Sequence, residues 1–482
     1  MNSLENLQPK NVFRYFREIS QIPRGSWHTK KISDYLVNFA KEHNLAYEQD
    51  EMNNVILIKE ASAGMEAAEP VIIQGHMDMV CEKEAGREID FETEGLDLYV
   101  DGDFLKARGT TLGGDDGIAV AYALAILDDD SLVHPRLEVV ITSDEEVGLL
   151  GAKGIDLSRL KGHLLLNIDS DMEGHFLTSC AGGLSAQVRI PVSYRNETGV
   201  FVSLRLHGLL GGHSGSEIDK EHANSNITMG RILKYLESRM QIGISSLEGG
   251  LKDNAIPRET VCTMLIPAGE EEAFSGYLSE ITEILQKEYA AQDPGLTVSA
   301  ELSEEKEYEI LDPVSQQKVL FYLRNVPNGV MHMSTNMPGL VETSLNAGVM
   351  KLGTKDFYIV SSVRSSVSSR KEELTEKLTY LAEFLGGTVA VEGDYPAWEY
   401  RADSMVREKI AEVYTRMFGK KPVFEAIHAG LECGMFADKI PGLDAVSFGP
   451  DNFDIHTPNE RLSISSAERV YRFLVELLGS IN

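Results

Sequence analysis

The sequence predicts an α/β protein in which a domain built on a mixed, largely parallel sheet is interrupted by a second, α+β domain. Three observations lead there. Continuous apolar runs that end at or near acids, PVIIQGHMDMV, RLEVVITSDEE and HLLLNIDSD, alternate with helical stretches, as strands buried on both faces do. The texture changes after Gly182-Gly183, where strand groups mix with long amphipathic helices up to about Pro396. From about Ala397 the helix–strand style of the first part returns. At 482 residues the chain also exceeds what one compact core serves.

Taken in order, residues from about Asn11 to Asn44 read as helical, with Val12, Phe13, Phe16 and Ile19, and later Ile32, Tyr35, Leu36 and Phe39, at helical spacing. VILIKE and PVIIQGHMDMV follow as β-rich segments. DGIAVAYALAILDD, Asp116–Asp129, is an Ala-rich helix directly after a Gly-Gly turn, and RLEVVITSDEE and HLLLNIDSD read as further strands. In the inserted region VSLRLHGL, ETVCTMLI, TVSAEL, DFYIVSSVR and TVAVEG read as strands, with helices near Ala223–Arg239, Glu271–Glu288, Val314–Asn325 and Lys371–Leu385. DNAIPRETVCTMLIP, a helix and LTVSAEL parallel SLNAGVMKLGTKDFYIVSSV, a helix and TVAVEGD, a repeat that rests on element order. The expected boundaries are 1–185 and 397–482 for the first domain and 186–396 for the second, with halves of about 186–305 and 306–396.

Acidic residues outnumber basic ones by 75 to 45, a formal charge of −30 that repels nucleic acid and anionic membrane. No apolar stretch is long enough to span a bilayer, and MNSLENLQPKNVFRYF has no secretory h-region, so no membrane association is expected. Cys81, Cys180, Cys262 and Cys433 are scattered with no CxxC pair, which argues against a thiolate zinc site or a disulfide framework. A cytoplasmic setting is the expectation.

Five short segments carry the chemistry: GHMDMV, TLGGDDGIA, TSDEEVG, NIDSD and IHTPNE. Each places a carboxylate or imidazole where a strand should stop, the place where ligands collect in open α/β sheets. Together they form a mixed N/O set of the kind two zinc ions with a bridging carboxylate need. His76 and Asp78 lie two apart on a strand and share a face, so Asp78 can accept the second ring N–H of a ligating His76. Asp116 suits a helix N-cap, but two adjacent acids after two glycines exceed a cap, and a bridging carboxylate in a tight turn needs glycine's backbone freedom. Asp144, Glu145 and Glu146 would repel one another without cations or full solvation. One glutamate can bind a metal while the other moves a proton. Asp169 or Asp171 could cap a turn, and His456 precedes Thr-Pro in a loop.

In this order the segments resemble the aminoacyl-histidine dipeptidases (cytosol nonspecific dipeptidases) of the co-catalytic di-zinc exopeptidases. The likeness covers nearly the whole chain and includes GGHSG, DNAIPRE and HAGLECG. It implies a zinc-exopeptidase-like catalytic domain with an inserted lid. It further implies two zinc ions per chain, with manganese or cobalt as substitutes, one bound by His76 and the other by His456, bridged by Asp115 and completed by Glu146 and Asp169. Glu145 would be the general base and Asp78 the group that orients His76. His213 would stabilise the oxyanion, with Asn254, Arg364 and Glu432 at the substrate. The Asp115–Asp116 peptide would be cis. SFGPDNFDIH, ahead of the last histidine, departs from the pattern and leaves the preferred side chain open.

The implied reaction is hydrolysis of dipeptides, including Xaa-His, by water activated between the two ions, with small peptides as the partner molecules. If the lid is duplicated, one chain can complete its own site, and a homodimer through other surfaces remains compatible. The alternatives are an N-acyl amino acid deacylase or tripeptidase of the same metal class, a non-catalytic zinc-dependent binding protein, and a purely structural acidic protein.

Overall fold

The computed structural model of the chain describes residues 4–481; residues 1–3 and 482, at the ends of the first expected domain, lie outside them. Two compact units emerge. The first takes Met1–Cys180, Tyr400–Ala426 and Leu431–Asn482, and the second Ala181–Glu399 and Ile427–Gly430.

The first unit holds an eight-stranded sheet with the order Ala46–Gln49, Val55–Lys59, Leu137–Thr142, Val71–His76, Leu164–Asn167, Asp444–Ser447, His175–Cys180 and Val423–Ile427. Val71–His76 pairs in parallel with Leu137–Thr142 and Leu164–Asn167, and Asp444–Ser447 pairs in parallel with Leu164–Asn167. Antiparallel pairs flank this centre, so the sheet is mixed, as expected. The central strands are buried along their whole length, which is why they read as unbroken apolar runs.

The Ala-rich helix, Gly114–Asp128, is buried from Ile118 to Leu127 and packs against both Val71–His76 and Lys10–Ser20. Small residues let it approach from every side, so it has no polar face. The helical reading of about Asn11 to Asn44 needs correction. Two helices, Lys10–Ser20 and Lys30–Glu42, flank a loop through Pro23 and Gly25. Proline lacks a helical N–H and forces the residue before it out of the helical region, which explains the break.

A smaller four-stranded sheet joins distant parts of the sequence: Asn452–Phe453, Arg461–Ser463, Phe104–Ala107 and Leu98–Asp101. Phe104–Ala107 leads into the Gly-Gly turn, while the Asn452–Ser463 hairpin carries His456. This pairing draws His456 to Asp115 across more than three hundred residues of sequence.

The second unit is built on a sheet whose main path runs Thr297–Leu311, Tyr194–His207, Thr260–Ile266, Gly243–Gly249, Val341–Leu352, Asp356–Ser365, Gly182–Pro191 and Thr388–Tyr395. Gly329–Met333 adds to Val341–Leu352. Helices Ser225–Glu237, Glu271–Glu288, Pro313–Asn325 and Ser368–Phe384 fall close to the four read from periodicity.

Outward from its middle, this path repeats one connectivity on each side: second, third, first and last strand of a β-α-β-β-α-β run. One run is 194–311; the other consists of 182–191 followed by 313–395. Sequence order alone suggests 186–305 and 306–396, because it does not show that Gly182–Pro191 pairs with Asp356–Ser365 and Thr388–Tyr395.

Candidate functional site

The site is assembled at the carboxyl ends of the parallel strands. His76 ends Val71–His76, Glu145 and Glu146 follow Leu137–Thr142, and Asp169 follows Leu164–Asn167. The Gly-Gly turn at the start of Gly114–Asp128 adds Asp115, and the hairpin adds His456.

Asp115 stands between the two imidazoles. Its Oδ1 is 3.0 Å from His76 Nε2 and its Oδ2 is 3.1 Å from His456 Nε2. Glu146 Oε1 lies 3.0 Å from His456 Nε2, whereas Asp169 and Glu145 lie 3.7 and 4.0 Å from His76 Nε2. Asp115, Glu146 and His456 form one compact donor cluster; His76 with Asp169 and Asp116, and His76 with Glu145 and Glu146, form others. The Asp115–Asp116 peptide is cis.

Asp78, fully buried, serves four neighbours. Its Oδ1 is 3.4 Å from His76 Nδ1 and accepts the Glu145 N–H at 3.0 Å, while Oδ2 accepts from Glu146 N–H and Ser26 Oγ. Strand end, imidazole and glutamate pair are thereby held to one carboxylate. Asp144 adopts a left-handed backbone and accepts the Trp27 N–H at 2.6 Å.

The charges are strongly perturbed. Burial, opposed by His76 and reinforced by Glu432, Glu146 and Asp115, pushes Glu145 up to about 8. Burial, with Asp116 adding, raises Asp169. Hydrogen bonds to Asp115 and Glu146 carry His456 up to about 10. Burial opposes a charge on His76, yet Asp115 and Asp78 outweigh it and raise its pKa. Burial likewise works against ionised Asp115, but His456 and His76 hold it below the usual range. So many buried and half-buried carboxylates around two imidazoles are costly unless cations share the space. O/N donors in this density suit divalent ions such as zinc, manganese or cobalt.

Several supports escape a reading by spacing. Arg24, in the loop that interrupts the expected helix, is fully buried and donates to the carbonyls of Met77, Asp78 and Gly113. Glu460 accepts from four successive backbone N–H groups, Leu112, Gly113, Gly114 and Asp115. Its acid in IHTPNE was visible, but its partners lie about 350 residues earlier. Asp116 is not the helix cap it suggests; its carboxylate accepts the His76 N–H at 3.1 Å, and Gly113 occupies the cap. Glu432 is corrected as well. It is fully buried under the sheet, bonded to Gln74 and Thr142, and presents no surface to a substrate.

In the second unit, His213 lies on a two-stranded ribbon opposite Ala255, and Asn254, just before that strand, accepts the Ser214 N–H at its carbonyl. His213 Nδ1 accepts from the Gly215 and Ser216 N–H groups, each at 3.2 Å. Burial, then Arg364, lowers the His213 pKa and so favours the neutral ring, and with Nδ1 accepting two N–H groups the neutral ring's proton falls on Nε2. Asn254 and Arg364 line one cleft of about 410 Å³ together with Asp253, Glu392 and Tyr395, whose hydroxyl is 2.9 Å from Arg364. His428, unassigned from the sequence, is buried against Ser344 Oγ at 2.7 Å; burial, then Arg364 and His213, lowers its pKa to about 3.

A carboxylate divided between two imidazole–carboxylate clusters at the strand ends of an α/β sheet defines a class, the metal-dependent hydrolases with paired ions. The chain belongs to peptidase family M20/M25/M40, whose match spans residues 72–480. It is 36% identical over 483 residues to the cytosol non-specific dipeptidase of Escherichia coli (strain K12), covering 100% of this chain and 99% of that one. It is also similar to the crystal structure of the aminoacylhistidine dipeptidase from Vibrio alginolyticus, with a TM-score of 0.94 and 33% identity over 100% of this chain and 98% of that one. The aminopeptidase PepT of Bacillus cereus ATCC 10987 shares the fold, with a TM-score of 0.56 at 15% identity over 98% of this chain and 99% of that one.

Proposed function

We propose that this chain hydrolyses dipeptides, Xaa-His among them, at two divalent ions held by His76, Asp115, Glu146, Asp169 and His456. The single observation that carries the reading is the division of Asp115, one oxygen facing each histidine at 3.0 and 3.1 Å. The full-length likeness to two dipeptidases supports it. Zinc is the metal this donor set favours, with manganese and cobalt as substitutes. A cytosolic setting follows from the name of the Escherichia coli relative. Among the described residues no helix is long and apolar enough to cross a membrane.

Bound in this donor set, the ions supply Lewis acidity and lower the pKa of water. The chain's own residues supply the proton traffic. Glu145 already sits near neutrality, at about 8 without cations, so it can take a proton from water and return it to the departing amine. Asp78 keeps His76 and the backbone of Glu145 in register. His213, as a neutral ring with its proton on Nε2, is assigned to the developing oxyanion, and Asn254 and Arg364 to the carbonyl and carboxylate of the substrate. In this reading the second unit is the lid, and its two β-α-β-β-α-β runs are a duplication, so one chain supplies every group.

The test is Glu145→Ala. Turnover of a dipeptide should fall by about 10²–10⁴-fold, the usual worth of a general base, with metal content unchanged. Loss of both ions from that variant would make Glu145 a ligand instead. Comparing a dipeptide with its N-acetylated form separates the dipeptidase from a deacylase.

A further inference from the structure

Beneath the metal cluster lies a chain of four polar side chains, Asn167, Gln74, Glu432 and Thr142, each 0% exposed. Asn167 Nδ2 donates to Gln74 Oε1 at 2.6 Å, and Gln74 Nε2 donates to Glu432 Oε2. Thr142 Oγ1 donates to that same oxygen at 2.7 Å. Glu432 Oε1 and Asn167 Oδ1 have no hydrogen-bond partner among the described residues.

Placing four polar groups in a sheet interior is expensive unless they do something apolar residues cannot. Their positions say what. Leu137–Thr142, Val71–His76 and Leu164–Asn167 are adjacent and parallel, and Gln74 pairs in register with Asn167. Gln74 stands two residues before His76 on the same strand face, Thr142 three before Glu145, and Asn167 two before Asp169. Backbone pairing reaches as far as His76, which is in register with Thr142, and Ile168 N–H still donates to the Gln74 carbonyl, but Glu145, Glu146 and Asp169 stand beyond the ladder on the segments that follow. Glu432, the first residue of helix Glu432–Lys439, clamps two of the strands directly and reaches the third through Gln74.

Resting on the dinuclear peptidase reading, we propose that Glu432 is a positioning residue for the reaction. Through Gln74, Thr142 and Asn167 it sets the relative heights of the strand ends that deliver His76, Glu145 with Glu146, and Asp169. It touches neither substrate nor ion. Only its Oε2 is engaged, so a glutamine that presents its amide oxygen there suffices, and a leucine does not.

The experiment measures kcat, KM, metal content and Tm for E432Q, E432L and the isosteric T142V on one dipeptide, with E145A alongside. Groups that support metal-site residues are worth about 10–100-fold. E432L should lose that much in kcat with KM within about twofold, E432Q should stay close to wild type, and T142V should lose several-fold. T142V preserves packing volume, so it answers even if E432L does not fold. Two results overturn the proposal: full kcat in folded E432L or T142V with only Tm lowered, or a raised KM at unchanged kcat, which would put Glu432 at the substrate. Failure of the underlying peptidase reading would appear elsewhere, as unaltered turnover in E145A.

Discussion

Gly113→Ala tests how rigidly the turn that presents Asp115 is held. Gly113 has a φ of +66°, and a Cβ built there would lie 2.5 Å from an Arg24 guanidinium nitrogen and 2.7 Å from Met79 Sδ. Arg24 cannot simply swing away, because it is fully buried and bonded to three carbonyls, including that of Gly113 itself. The left-handed backbone costs an alanine roughly 1–2 kcal/mol, and crowding of a packed interior adds roughly 1–3. The sum is about 2–5 kcal/mol. Gly102 supplies the control: its φ is +63°, but nothing lies within 4 Å of the added Cβ. Gly102→Ala should therefore pay the backbone term alone.

At roughly 2–4 °C per kcal/mol for a unit of this size, Gly113→Ala should melt about 5–15 °C below wild type, and Gly102→Ala only a few degrees below it. Near-UV circular dichroism of the metal-free proteins at pH 7 gives the comparison, and chelator competition shows whether metal affinity falls in the first variant alone. Equal melting of the two variants would mean that Arg24 and Met79 yield at no cost. The account of a rigid turn would then be wrong.

Three further outcomes can be checked. His456 at about 10, Glu145 at about 8 and Glu432 at about 7 all have raised pKa values in the folded chain, so folding takes up protons at these groups. Their contribution to stability is complete below their unfolded values, near 6.5 for the histidine and 4.5 for the glutamates, and is lost as pH rises through the folded ones. The metal-free protein should therefore melt lower at pH 9 than at pH 6.5, and a flat or rising profile over that window refutes the assignment. Because ligating histidines must be neutral and ligating carboxyls ionised, metal binding at pH 7 should release about two or more protons per chain, read by calorimetry in buffers of different ionisation enthalpy; no release would remove His76 and His456 from the ligand set. Finally, if one chain supplies all groups as proposed, mixing His213→Ala with Glu145→Ala protein should restore no activity; recovery would show that subunits share the site.

What could be read from the sequence follows from how narrow each chemical requirement is. Metal-binding and proton-moving groups come from few residue types, and the α/β pattern predicts where along the chain they fall. His76, Glu145, Glu146 and Asp169 are read from the sequence as such groups, and the structure places them at strand ends; Asp115, after its glycine pair, lies beside them. Supports have no such restriction. Arg24 follows Pro23 in a loop between two stretches that each show helical spacing, Val12 to Ile19 and Ile32 to Phe39, and that spacing on either side concealed it. Glu432 was visible as a motif acid, but only burial shows that it faces the sheet rather than the cleft.

The contrast has a physical basis in range. A ligand's role is set by what it is and where its strand ends, both local properties. A support's role is set by its partner, and those partners lie about 350 residues apart for Glu460 with Leu112 and for Glu432 with Gln74. Glu460 gathers the N–H groups of the turn that carries Asp115, and Glu432 ties the strands whose ends carry His76 and lead to Glu145, Glu146 and, through Gln74, Asp169. The C-terminal segment therefore does more than add His456. Its hairpin brings His456 to 3.1 Å from Asp115, and its Glu460 holds the backbone of the turn on which Asp115 stands, so the placing of that carboxylate between the two imidazoles depends on residues more than 340 positions later in the sequence.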